Sequence, residues 1–188
     1  MRKLVFVMSL IALSTLTGCA GSAPSADFKK AIADSNRLCA TDSATIKVAA
    51  ADGIIINEVS RLRLESRLKQ TIDEKKKAIP CKESSQRDFI LKSTITNYDE
   101  GNAFARAMLA GLGQIHIDGD FALAMASKES ESLAEFSVNK TFAWGGAYGA
   151  STRIEDVEPA FAEGVADAVV GQFSGPFSQD NNLLNLRW

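Results

Sequence analysis

Hydrophobic and polar positions follow two rhythms along this chain. From residue 45 a period of two appears first: Ile46, Val48 and Ala50 alternate and predict a strand that Asp52-Gly53 ends. The run Ile54-Ile55-Ile56 fits either a strand or the entry to a helix. Between Glu58 and Ala78 the period becomes helical. Leu64, Leu68 and Ile72 fall four apart on one face, ringed by Arg61, Arg63, Glu65, Arg67 and Lys69, and Pro80 stops the helix. Alternation returns over 88–98, then Asp99-Glu100-Gly101-Asn102 turns the chain into a short helical or irregular apolar segment, 103–112. Ile115, Ile117, Gly119, Phe121, Leu123 and Met125 hold a period of two and give the clearest strand. Polar residues 128–132 predict a hairpin turn, and Phe136, Val138, Lys140, Phe142 and Trp144 the returning strand.

A glycine-rich loop is expected at 145–150, and Thr152-Arg153-Ile154-Glu155 has the form of a capping box. Val157, Phe161, Val165, Ala168, Val169 and Phe173 mark a last helix, with Pro159 near its start and Gly171 or Gly175 near its end. Upstream, Phe28, Ala31, Ile32, Ser35 and Leu38 predict a short amphipathic helix over 27–38. The tail from Phe177 to Trp188 is polar with a Leu-Leu-Asn-Leu-Arg-Trp finish. The fold class is therefore α+β: one small antiparallel or mixed sheet of about four strands, with helices packed on one face. No repeat is visible.

The first residues follow neither rhythm. Arg2 and Lys3 precede an apolar stretch, Leu4 to Leu16, of signal-peptide length and too short to cross a bilayer. Leu16-Thr17-Gly18-Cys19 then resembles the bacterial lipobox. That resemblance implies cleavage after Gly18, thioether lipidation of Cys19 and acylation of the new amino group, palmitate included; several acyl chains make a stable anchor. Ala20 stands where enteric-type sorting uses Asp to retain lipoproteins at the inner membrane, so the expected location is the outer membrane, facing the periplasm. The division reads as signal peptide 1–18, lipidated Cys and flexible small-residue tether 19–26, and a single domain 27–188. No later apolar run reaches membrane-spanning length.

Length and composition fit one globular domain with a core: 188 residues, 46% hydrophobic and 23% charged. The net charge is −2; losing Arg2 and Lys3 leaves 19 of the 21 basic side chains against 23 acidic ones, or −4. A mildly acidic domain without a basic stripe excludes a nucleic-acid partner. Its one basic run, Lys75-Lys76-Lys77, follows Asp73-Glu74 and reads as a solvated helix end. Of three cysteines, Cys19 is used by the lipid, which leaves Cys39 and Cys81 as a disulfide in an oxidising compartment or as two separate thiols; the disulfide is favoured. Neither has metal-site spacing.

The sequence Tyr98-x-x-Gly101-Asn102-x-x-x-Arg106, then Gly111-x-Gly113, a long hairpin and Gly145-Gly146 ahead of an Ala-rich helix, resembles a family of small bacterial lipoproteins defined by a domain of unknown function. More loosely it is similar to the α/β domains of curli-secretion-type and other envelope-assembly lipoproteins. The resemblance covers about 45–173 and brings no catalytic residues. The turn 128–132, Lys-Glu-Ser-Glu-Ser, departs from the Asp-x-x-x-Gly that related hairpins often carry.

Candidate chemistry is sparse. His116, the only histidine, shares the polar phase of its strand with Asp118 and Asp120, but alternate side chains on a strand stand about 7 Å apart, too far for direct joint ligation. Gly111-x-Gly113 and Gly145-Gly146 lack the Lys-Ser/Thr of a phosphate loop and read as turns. No Gly-x-Ser-x-Gly elbow accompanies His116. Arg106, in an apolar segment, is expected to pair with Asp99, Glu100 or a backbone carbonyl. Trp144 and Tyr148 on a glycine-rich loop are candidate anchors for a partner. The expectation is a non-enzymatic, lipid-anchored envelope protein without cofactor or metal that binds a protein partner in envelope assembly, transport or maintenance. The alternative is a module for a small ligand, a lipid or glycan fragment held between sheet and helices.

Overall fold

The computed structural model describes residues 23–82, 85–109 and 112–172. Its strands are β1 (Ser25–Lys30), β2 (Ser43–Ala50), β3 (Asp88–Asp99), β4 (Ile115–Met125) and β5 (Ser132–Phe142). The helices are α1 (Glu58–Lys76), α2 (Ala103–Met108), α3 (Gly146–Ser151) and α4 (Ile154–Val170), with 3-10 turns at Asp34–Asn36 and Ala126–Lys128. All five strands form one mixed sheet in the order β1-β5-β4-β3-β2. β2 pairs parallel with β3, joined through α1; every other pair is antiparallel.

The alternation predicted from the sequence sets which face is buried. Phe89, Leu91 and Ile95 of β3, Ile117, Phe121 and Leu123 of β4, and Phe136 and Val138 of β5 turn inward and are at most 3% exposed. Leu64, Leu68 and Ile72 of α1 and Phe161, Val165 and Val169 of α4 cover them and are fully buried. Phe121 stacks on Phe136 at 5.2 Å between ring centres and meets Phe161 at 5.9 Å. α1 and α4 pack on one face, as expected, and against each other. The opposite face carries Lys47, Lys92, Asp120 and Ser137 and stays open to solvent.

Three expectations are corrected. The sheet has five strands because residues 25–30 are a strand, where a helix over 27–38 was expected. The segment adds to the free edge of β5, pairing Ala26 with Val138 and Phe28 with Phe136. Phe28 then packs on Phe136 at 5.5 Å. Sheet pairing and burial outweigh a helical spacing of only a few residues. Ser25 and Ala26, expected within the tether, belong to β1. The run Gly145 to Ala150 is no loop: α3 starts at Gly146. The last cap is shifted by one residue: Arg153 is the N-cap, and Asp156 Oδ2 accepts from its backbone N–H at 2.9 Å.

The lysine run is not solvated as a whole either. Lys75 is paired with Asp167, and Lys76, 9% exposed, donates to the Asp42 carbonyl and lies 2.9 Å from Asp73. The expected signal peptide, Cys19 and the tail beyond Gln172 lie outside the described residues, as do Gly111 and Gly175.

Candidate functional site

Strand directions put particular loops together. β2, β3 and β5 finish at one end of the sheet, where β1 and β4 begin. This end carries the 51–57 loop, the N-terminus of α1, α2, α3 and the chain entering β1 at Ser25. It also carries the exposed apolar side chains. Phe104, Met108, Leu109 and Leu112, on and after α2, are 52–73% exposed; Tyr148 of α3 is 62% exposed and Trp144, just before it, 39%. Ile55, Val59 and Leu62, at 90%, 72% and 49%, extend the set across the β2–α1 connection. Among the described residues no other large hydrophobic side chain is exposed. At the opposite end the exposed side chains include Lys30, Asp34, Lys77, Lys82, Lys128 and Glu131.

Arg106 builds the apolar end. Its guanidinium leaves α2, is 2% exposed, and donates only to backbone: Nε to Gly149 O at 2.8 Å, Nη1 to Glu100 O at 2.6 Å and Gly113 O at 2.7 Å, and Nη2 to Thr152 O at 3.1 Å. Of the pairings expected from the sequence, the carbonyl one is realised. One side chain thereby ties both ends of the α2 excursion to α3 and to the entry of α4. Gly101 and Gly113 make the excursion possible. Both have positive φ, +63° and +69°, and a Cβ on Gly101 would stand 2.0 Å from Gln114 O. Asn102 caps α2, its Oδ1 accepting from Ala105 N at 2.9 Å. Trp144 and Tyr148 meet edge to face at 5.5 Å and 74°, and Tyr148 leans on Phe142 at 6.0 Å. The two aromatic candidates are thus brought together, Tyr148 on α3 and Trp144 just before it, inside a larger apolar surface.

The other candidates stay apart. His116 Nδ1 is 3.1 Å from Thr141 Oγ1 on the neighbouring strand. Asp118 accepts from Asn97 Nδ2 at 3.1 Å, and Asp120 accepts from Ser137 Oγ at 2.5 Å with Lys29 at 3.7 Å. Each polar group finds its own cross-strand partner, and the three do not converge. Cys39 and Cys81 are bonded, with Cα atoms 5.1 Å apart. Beside them the fully buried Asp42 carboxylate takes Arg87 in a two-pronged pair, Nη2 to Oδ2 at 2.6 Å and Nε to Oδ1 at 2.9 Å, and also accepts from Cys39 N. A cleft of about 340 Å³ opens at this disulfide end, with Asp34, Arg37, Lys82 and Arg87 on its walls.

One buried cluster was missed. Glu158 of α4 is 0% exposed; its Oε1 accepts from Tyr98 Oη at 2.8 Å and Arg63 Nη2 at 3.0 Å, and its Oε2 from Arg63 Nε at 3.0 Å. Arg67 Nε stands 3.4 Å from Oε2 as a charge contact without hydrogen-bond geometry. The hydrogen bonds to Glu158 hold the Arg63 guanidinium above its ordinary value. Burial first, and the Glu158 carboxylate second, push the Tyr98 phenol up to about 12. The signal was present: Glu158 occupies a core slot in the 154, 157, 158, 161, 165 series, and Arg63 and Arg67 are four apart on α1. Both Glu158 oxygens are bonded within the cluster, which fastens α1 and β3 to α4.

Residues 39–146 match the profile of a family described as Domain of unknown function (DUF4410). Among curated proteins none matches the chain. Of solved structures, the PelC dodecamer from Paraburkholderia phytofirmans is similar at 10% identity and a TM-score of 0.48, over 78% of this chain and 97% of that one. A variant of the same PelC gives 11% and 0.47, over 79% and 99%. A chain from Caulobacter crescentus CB15, provisionally described as a lipoprotein, gives 17% and 0.37, over 68% and 85%.

Proposed function

The chain belongs to the DUF4410 family, and from that premise we propose that it is a non-enzymatic lipoprotein of the cell envelope that works by docking. In this reading Cys19 carries the lipid, and the domain is held on the periplasmic face of the outer membrane. It binds a protein partner in envelope assembly, transport or maintenance. The observation that carries the reading is the division of the surface: exposed apolar side chains gather at one end, exposed charges at the other, and the buried polar clusters are spent on structure, so that the domain offers two unlike surfaces and no convergent chemistry. Tethering supports it physically, since a lipid anchor confines the domain near membrane partners and raises its effective concentration there. The small-ligand alternative has less to stand on. Leu64, Leu68, Phe121, Phe136 and Phe161 fill the space between sheet and helices, where such a ligand would sit.

The test is photo-crosslinking in living cells from three positions: Tyr148 at the apolar end, Lys92 on the open sheet face and Lys82 at the charged end. One envelope protein captured reproducibly from any of them supports the partner reading and locates its surface. Lipid adducts alone, or no adduct, from all three refute it. The anchor is tested separately by Cys19→Ala, which should abolish processing and release the protein from the membrane fraction; unchanged processing and fractionation refute lipidation.

A further inference from the structure

The chain that would carry the lipid enters the domain at the apolar end, and this fixes what that end faces. Ser25 pairs with Asn139 of β5, and β5 continues from there to Phe142 and Trp144. The strand therefore begins at the end that carries α2 and α3, and any lead to it must arrive there. Pro24 lies against Gly164 of α4, where a Cβ would come within 2.6 Å of it, so the chain is already fixed one residue before β1. Only residues 20–24 separate Cys19 from β1, a reach of about 20 Å at full extension. A domain whose strands are about 35 Å long cannot hang with its other end down on so short a lead.

We propose that the occupant of the apolar end is the lipid bilayer itself: Phe104, Met108, Leu109, Leu112, Trp144 and Tyr148 seat in the interfacial layer of the membrane that receives the acyl chains. The inference rests on the lipidated-Cys19 reading. The chemistry fits a shallow seat. Trp and Tyr present an apolar ring with a polar tip, the combination that settles at the headgroup level, and the aliphatic and Phe side chains beside them reach the acyl boundary. Among the described residues no helix is long and apolar enough to cross a membrane, so contact stays on the surface. The exposed charges beside the patch are Asp52, Glu58, Asp99 and Glu100 against Arg153, a set that is acidic on balance. Anionic headgroups are therefore not what holds this end down, and the contact is apolar and insensitive to salt. With lipid and patch both engaged, the sheet stands along the membrane normal and presents the charged disulfide end to the periplasm.

The experiment uses the full-length, lipidated protein in phosphatidylcholine vesicles whose acyl chains carry bromine. Trp188→Phe leaves Trp144 as the only tryptophan. Flotation reads the anchor; Trp144 emission reads the patch. The expected result is flotation with the vesicles, a blue-shifted Trp144, loss of about half of its emission to bromolipid, and no change between low and high salt. Phe104→Glu with Leu109→Glu, at exposed positions that leave the core intact, should restore the emission without affecting flotation. Failure to float overturns the anchor reading and this inference with it. Flotation with Trp144 open to aqueous iodide and untouched by bromolipid overturns the membrane seat alone. Trp144 shielded from both quenchers, with a crosslinked second copy or envelope protein, overturns it in favour of a protein contact.

Discussion

Removing the Arg106 guanidinium should loosen one end of the molecule before it unfolds the rest. The four carbonyls it serves are not equivalent. The bonds to Gly149 O and Thr152 O are fully buried, whereas those to Glu100 O and Gly113 O are partly reached by solvent. In Arg106→Met, water can replace the second pair, but the first pair is left without donors, at about 1–3 kcal/mol for each buried carbonyl. Met fills most of the stem volume, so no large cavity term is added. The sum is a loss of about 2–6 kcal/mol, part of it relieved by local opening of α2 and α3. Arg106→Lys keeps the charge but offers one compact ammonium where a planar fork reached four acceptors, and should recover less than half of the loss. The assay combines urea unfolding of the purified protein with hydrogen exchange resolved by segment. Amides of 103–109 and 146–152 should lose protection at variant-induced openings that leave α1 and β3 protected. The reasoning is refuted if Arg106→Met unfolds at the wild-type midpoint, or if protection falls evenly across the sheet.

The remaining predictions draw on other parts of the fold. In a Tyr148→Phe background Tyr98 is the only tyrosine, and its tyrosinate absorbance should rise with a midpoint near 12, moving down toward 10.0 when Glu158 is also changed to Gln; a midpoint at the ordinary value with Glu158 intact would falsify the cluster's geometry. Because the folded value of Tyr98 is raised, the stability it contributes is complete below pH 10.0 and is lost as pH climbs to about 12, and thermal melts across that window should fall by up to about 2 kcal/mol. Reducing Cys39–Cys81, which are 42 residues apart, should cost about 3–4 kcal/mol, read as a lower urea midpoint with reductant than without. Gly101→Ala, with φ at +63° and a carbonyl oxygen 2.0 Å from the new Cβ, should be much more damaging than Gly53→Ala, where φ is +82° and the space is open; equal midpoints for the two variants would remove the steric argument.

What the sequence disclosed and what it hid divide along a physical line. Strands β2, β3, β4 and β5 and helices α1 and α4 were legible because each has one dry and one wet face, so burial wrote a period of two or 3.6 into the residues themselves. β1 was hidden because an edge strand is defined by the partner it joins: Phe28 is inward only once it lies beside Phe136, and nothing within residues 25–30 specifies that. α3 was hidden because glycine and alanine carry little pattern, and Gly145-Gly146 argued for a loop; the helix is held by Arg106 from outside, a contact visible only in three dimensions. The pairing of Glu158 with Arg63 depends on helix packing across 95 residues of chain and that of Asp42 with Arg87 on the parallel pairing of β2 with β3 across 45, although the intrusion of Glu158 into an apolar helix face was a readable warning. The candidate site shows the same division. Trp144 and Tyr148 could be singled out one by one, but a surface is a property of several loops at once. Leu109, Leu112, Trp144 and Ile55 become one apolar end only because β2, β3 and β5 all finish there, and that end becomes a membrane seat only because β1 starts there too. Strand direction, which no single segment encodes, is what brings the start of β1 to the same end as side chains as far downstream as Trp144 and Tyr148.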